Sequence, residues 1–208
     1  MRQSELEARA GADSVARAIG GRIKQGRGSR GWTLDQLAER SGVSRRMLVS
    51  IEQGSANPSI ATLLLISDAL GIGLPALVDM DRSPGLRVTR AGTAPVLWRG
   101  KLGGRAVLVA GTEPPDVTEL WDWTLGPGES HSSPGHAAGT RELLLVLDGH
   151  VEVRVGQHAA VLATGDSASF VGDLPHGYVN AGAQVARFAL TVFEPGVGPG
   201  SRSEATDV

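Results

Sequence analysis

Histidine and carboxylate side chains gather in two short stretches of this chain. One is Gly128-Glu129-Ser130-His131, running on through His136 to Arg141-Glu142; the other is Pro175-His176-Gly177-Tyr178-Val179-Asn180. If neighbouring strands bring them together, two imidazoles and a carboxylate make a two-histidine, one-carboxylate metal site with open positions, or a polar cluster that grips an organic anion. A second grouping is cationic. Arg45 and Arg46 follow Ser44, a good N-cap, at the start of an expected helix over 44–53 that Gly54 stops. Two guanidinium groups there suit bidentate contact with guanine in the major groove, and the helix N-terminus favours phosphate. The chain has no cysteine, which excludes disulfides, thiolate metal sites and cysteine nucleophiles. No nucleotide-binding glycine loop and no serine or phosphoryl-transfer site is present.

The elements that must position these groups differ between the two parts of the chain. Residues 1–80 carry 10 basic and 8 acidic side chains and residues 81–208 carry 10 and 14, so the overall −2 hides a positive and a negative half. From 14 to 56 eight basic residues face three acidic ones, a balance that suits a polyanion. Apolar residues in the first half recur at helical spacing: Val15, Ile19 and Ile23; Leu34, Leu37 and Ala38; then Ile60, Leu63, Leu64, Ile66 and Leu70 between Ser59 and Gly71. In the helix after Ser44, Met47, Leu48 and Ile51 share one face, suited to burial. Arg45, Arg46, Val49 and Ser50 share the opposite one.

The second half reads as strands. Apolar runs at 96–98, 106–109, 120–125, 143–147, 151–155, 159–162, 167–171 and 185–193 are punctuated by Gly, Pro or Asp, the spacing of an antiparallel sandwich or barrel. Asp148-Gly149 between two of these runs predicts a two-residue hairpin turn. His131 is expected in a loop, and His150 and His158 on the surface. The fold expected is α+β in two domains: a flexible tail over 1–13, a helical domain over 14–79, a linker over 80–85, a β barrel over 86–195 and a tail over 196–208. No secretory leader or membrane span is legible, so the cytoplasm is the expected location.

Trp32 through Ser44, then Ile51-Glu52-Gln53-Gly54 and Asn57-Pro58-Ser59, resemble the phage-repressor-type (XRE) helix-turn-helix family. The resemblance implies five helices, Thr33, Ser44 and Asn57 near phosphates, and Arg45, Arg46 and Ser50 at base-reading positions. It makes Glu52 structural, because an anion beside phosphate is repelled.

The spacings Glu142 to Gly149 and Gly165 to His176 to Asn180 resemble the two motifs of the cupin family. That implies a jelly-roll barrel with a pocket between its sheets. Three of four family ligand positions remain, His136, Glu142 and His176, while Ala138 stands where a second histidine belongs. A divalent zinc, iron, nickel or manganese ion is the cofactor implied. Trp121, Trp123, Phe170 and Tyr178 are candidate pocket walls, and equally plain barrel core.

The combination implies a DNA-binding transcriptional regulator, with a double-stranded operator and a small-molecule effector as partners. Two half-sites imply a homodimer joined through the barrel. The alternative is a cupin-type mononuclear iron oxygenase or epoxidase carrying a helix-turn-helix-like domain. Ala138 counts against the enzyme, and the outward arginine pair counts for DNA.

Overall fold

The computed structural model describes residues 2–78 and 86–197, with side chains from Ser14 onward. The chain divides into two compact units, the helices in one and Leu86–Gly196 in the other. The helical unit holds α1 (Arg2–Ser29), α2 (Leu34–Ser41), α3 (Arg45–Glu52), α4 (Ile60–Leu70) and α5 (Gly73–Val78). α1 begins inside the segment expected as a tail. The expected linker over 80–85 and nearly all of the C-terminal tail lie outside the described residues.

Local sequence decides where the short helices start and stop. Thr33 caps α2 in a reciprocal capping box with Gln36, Ser44 accepts from the Met47 amide to cap α3, and Ser59 accepts from Thr62 to cap α4. Gly42 ends α2 at φ 69°, a left-handed conformation that lets the chain turn directly into α3. Ile19, Ile23, Leu37, Leu48, Ile51, Leu63, Ile66 and Leu70 fill the core. α1 crosses α3 closely at Gly20, where a Cβ would stand 2.1 Å from the Ile51 carbonyl oxygen. One expected core residue is outside it: Met47 is 42% exposed. On an eight-residue helix the buried stripe is narrow, and Glu52 rather than Met47 flanks Leu48 and Ile51.

The second unit is an antiparallel sandwich. A six-stranded sheet has the order β1 (Val96–Arg99), β2 (Arg105–Gly111), β3 (Val117–Leu125), β10 (Ala186–Glu194), β5 (Arg141–Asp148), β8 (Ser167–Val171). A four-stranded sheet has the order β4 (Ser130–Ser133), β9 (His176–Val179), β6 (His150–Val155), β7 (His158–Ala163). Strict alternation on β3, β5, β6 and β10 sends Trp121, Trp123, Leu144, Val146, Val151, Val153, Phe188 and Leu190 inward.

Two expectations need correction here. β5 and β6 are not a hairpin: Asp148-Gly149 carries the chain from one sheet to the other, and the two strands pair with different neighbours. Both are apolar on the inward side, and their places in opposite sheets bury both rows in the core. The true two-residue hairpin joins β6 to β7 through Gly156-Gln157. His131, expected in a loop, lies on β4, paired opposite Tyr178 of β9.

Candidate functional site

In the helical unit the groups expected to meet nucleic acid are mostly exposed. Thr33, Ser44 and Asn57 are exposed at the start of α2, the start of α3 and the turn before α4. Arg45 and Arg46 are exposed on the first turn of α3, and Ser50 is half-buried one turn later, its hydroxyl donating to the Arg46 carbonyl at 3.2 Å. Arg45 leans towards α2, its Nε 3.1 Å from Asp35 Oδ1, with both side chains open to solvent. Such an exposed pair contributes little and yields readily to a stronger anion.

What holds α3 in place is a pair that sequence reasoning recognised only at one end. Arg27 near the end of α1 donates from Nε and Nη2 to the two carboxylate oxygens of Glu52 at 2.6 and 2.8 Å, and from Nη1 to the Trp32 carbonyl at 2.8 Å. One guanidinium thus joins α1, the residue before the α2 cap and the end of α3. Glu52 is structural, as expected. Arg27 was counted only among the basic residues, because nothing local separates a solvated arginine from a paired one.

In the β unit three side chains converge. Glu142 points inward from β5, beside Phe170 of β8 and Val192 of β10. His176 opens β9, and His136 stands in the loop between β4 and β5, tied to the second motif by the hydrogen bond its backbone N–H donates to the Gly172 carbonyl at 2.9 Å. The same loop is held by the Asp173 carboxylate, which accepts from the Gly139 amide at 3.3 Å. His136 Nε2 lies 3.4 Å and His176 Nε2 3.1 Å from Glu142 Oε1, and one donor atom from each residue falls within 4.8 Å of the others.

The surroundings fit a divalent cation. The other Glu142 oxygen accepts from the Tyr178 hydroxyl at 2.6 Å, and His176 Nδ1 lies 2.8 Å from the Leu174 carbonyl, which favours a proton there and leaves Nε2 as a donor to metal. Glu142 Oε1 is buried, and the polar atoms that face it are the Nε2 atoms of His136 and His176. Gly172 gives it room: a Cβ there would stand 3.0 Å from that oxygen and 2.8 Å from Thr140 Cγ2.

The cluster is electrostatically coupled. Burial alone would raise the Glu142 pKa, but hydrogen bonds from His136 and His176, the His176 charge and the Tyr178 hydroxyl lower it to about 2. Burial opposes charge on His176, yet the Glu142 hydrogen bond and charge and the Leu174 carbonyl raise its pKa above the ordinary imidazole value. Tyr178 is pushed well above the usual phenol range by burial, then by the Glu142 charge and hydrogen bond.

A helix-turn-helix family model matches residues 23–77 and a cupin-domain model matches 121–193. HTH-type transcriptional regulator SutR of Escherichia coli (strain K12) is 28% identical over 186 residues, covering 88% of this chain and 98% of SutR. An uncharacterized HTH-type transcriptional regulator, y4dJ of Sinorhizobium fredii (strain NBRC 101917 / NGR234), is 34% identical over 71 residues, 34% of this chain and 92% of that protein. The chain belongs to the XRE-type HTH transcriptional regulators. A crystal structure of an HTH_3 family transcriptional regulator from Vibrio cholerae superposes with TM-score 0.65 at 27% identity, covering 88% of this chain and 99% of that one.

This regulator joins a helix-turn-helix domain to a cupin domain and binds DNA. Its aromatic residues divide by position. Phe170 and Tyr178 stand beside the cluster, with ring centroids 5.9 and 6.2 Å from that of His176. Trp123 stacks on Phe188 at 5.8 Å and contacts Tyr178, while Trp121 gives its indole proton to Glu119 at 2.9 Å. His131, expected in a loop beside the cluster, has its ring 5.2 Å from that of Trp98 and 4.7 Å from that of Trp123. Burial and the neighbouring His176 and His136 lower its pKa to about 4. A strand reading Ser-His-Ser-Ser carries no apolar alternation, so only its pairing with β9 reveals it. Ala138, which stood for a missing ligand, is exposed, and the three-residue cluster forms without it. His150 and His158 are exposed, as expected. Among the described residues, no helix is long and apolar enough to cross a membrane.

Proposed function

We propose that this regulator reads its operator as a homodimer, that its cupin barrel takes up a small effector at His136, Glu142 and His176, and that it is not an enzyme. In this reading Arg45, Arg46 and Ser50 address base edges, while Thr33, Ser44 and Asn57 bind the phosphate backbone and set the register. The observation that carries the sensing role is the convergence of two imidazole nitrogens on one buried carboxylate oxygen. A divalent zinc, iron, nickel or manganese ion there would offer open positions to an oxygen-bearing effector. Tyr178 and the Leu174 carbonyl would keep Glu142 and His176 in donor orientation, and Phe170 would wall the site. Without a metal, the same groups would form a polar floor that binds an organic ligand directly.

The experiment is metal analysis of the purified full chain, followed by DNA binding with and without chelator for wild type and Glu142→Gln. Stoichiometric metal that disappears in Glu142→Gln, with DNA binding changed on its removal, supports a metal-borne sensor. Metal absent, and a Glu142→Gln chain that binds DNA and every tested metabolite as the wild type does, returns the cluster to a structural role. The enzyme alternative keeps one observation in its favour, since the cluster forms without a histidine at 138. Stoichiometric iron with oxygen-dependent turnover of an organic substrate would establish it.

A further inference from the structure

Within the β unit the outward face of the six-stranded sheet carries apolar side chains that the unit itself does not cover. On β5 the inward residues Glu142, Leu144 and Val146 are buried, whereas the outward ones, Leu143, Leu145 and Leu147, are 58%, 43% and 42% exposed. The outward positions of a sheet with one solvated face are normally polar, and an uninterrupted apolar run belongs to a strand covered on both sides. Pairing register extends the patch. Thr191 of β10 stands between Leu143 and Leu120 of β3, and Ala189 stands beside Leu145. Leu120 and Phe193 are also exposed. Arg187 and Asp122 on this face bond each other through two contacts of 2.8 and 3.1 Å, so the pair is neutral. The apolar side chains expose on the order of 400 Å², within the range of the largest patch a monomer usually shows and about half of one partner's share of a standard interface.

We infer that this face is the two-fold interface with a second copy of the chain, a step that rests on the proposed reading of the regulator as a dimer. A two-fold contact needs a surface that matches itself. Leucine against leucine across an axis near β5 does so, the self-paired Arg187 and Asp122 bring no uncompensated charge into the contact, and the exposed Arg141 at the start of β5 stands at its edge. The helical unit supplies the reason for a second copy: it presents a single eight-residue recognition helix, and domains of this type read two half-sites as dimers. A polar rim of Ser167 and Ser169 on β8 completes the area beyond the apolar centre.

Because the chain contains no cysteine, one introduced thiol is a clean reporter. Leu143→Cys, Leu145→Cys and Leu147→Cys, tested singly in the full chain under mild oxidation, should give a disulfide-linked dimer for at least one position near the axis. Val161→Cys, on the 69% exposed position of β7, should stay at background. Independently, the double variant Leu143→Glu, Leu145→Glu should halve the mass seen by light scattering while its circular dichroism is unchanged. A wild-type dimer that fails to cross-link at all three leucines, or cross-links only at Val161, overturns the inference and leaves the dimeric regulator intact. A wild-type chain that is monomeric in solution and on DNA overturns both. Hydrogen-exchange protection of β5 in that monomer would assign the face to the chain's own helices.

Discussion

The helical and the β regions build their functional groups in opposite ways. Around α3 the candidate DNA-reading side chains are mostly exposed, come from one continuous stretch, Thr33 to Asn57, and depend on caps a few residues away. In the barrel the three donor groups come from a loop and two strands that belong to different sheets, and Glu142 and His176 are buried. A surface that meets a large polyanion needs charge in water, where desolvation costs little until the partner arrives. A site for a metal or a small molecule needs preorganised donors in a low-dielectric interior, where each must be held by a second partner. The difference predicts where each region is fragile: the reader through the pair that orients its helix, the barrel through groups that keep its buried polar side chains aimed.

The largest effect tests whether an exposed reader can depend on a buried contact. Arg27→Ala leaves Glu52 uncompensated and should destabilise the helical unit by about 3–5 kcal/mol, read as a lowered melting transition with loss of DNA binding. A change below about 1 kcal/mol would show the pair to be a solvated surface bridge. The next concerns the barrel and has a defined sign. Folded His131 resists protonation down to about pH 4, whereas the unfolded chain protonates it near its ordinary 6.5. The unfolded state therefore binds more protons in that window, and stability present above pH 6.5 is lost as pH falls towards 4, by up to about 3 kcal/mol. Urea unfolding of the full chain at pH 7 and pH 5 should show this fall, and His131→Phe should flatten it. Identical pH slopes for the two chains would refute the assignment.

A third, smaller effect sharpens the barrel side. Tyr178→Phe removes the hydroxyl that holds Glu142 and should weaken divalent-metal binding about 10- to 100-fold, measured by competition with a chelating dye, without unfolding the sheet. Unchanged affinity would mean that Glu142 needs no support. The smallest separates roles within the reader. Arg45→Ala should cost about 1–3 kcal/mol and relax sequence preference, whereas Thr33→Ala should weaken selected and scrambled duplexes alike. Equal losses on both duplexes for Arg45→Ala would reject its base-reading role.

Legibility followed the same division. Each cap of α2, α3 and α4 is a local side-chain-to-amide bond, so Ser44 and Ser59 could be read at helix starts from their neighbours, whereas the uninterrupted apolar run of β5 carries no sign of which row turns inward. Met47 was misread because a helical wheel gives faces but not how much of a face a short helix buries. The strands β4 and β9 lack the alternation that announces a strand, and the Asp148-Gly149 turn carries hairpin chemistry at a crossing between sheets. Turn residues permit a reversal without choosing its partner.

The sequence by itself determined the helix-turn-helix unit, the cupin spacings and the identity of the three residues that cluster, because each rests on residue types at fixed local offsets. Only the tertiary structure decided that Arg27 clamps Glu52, that His131 lies on a strand between Trp98 and Trp123, and that the cluster assembles without a histidine at 138. It also decided which row of β5 turns into the sandwich. These are contacts between segments distant along the chain. Their formation depends on which sheets face each other across a common core, and no local periodicity encodes that choice.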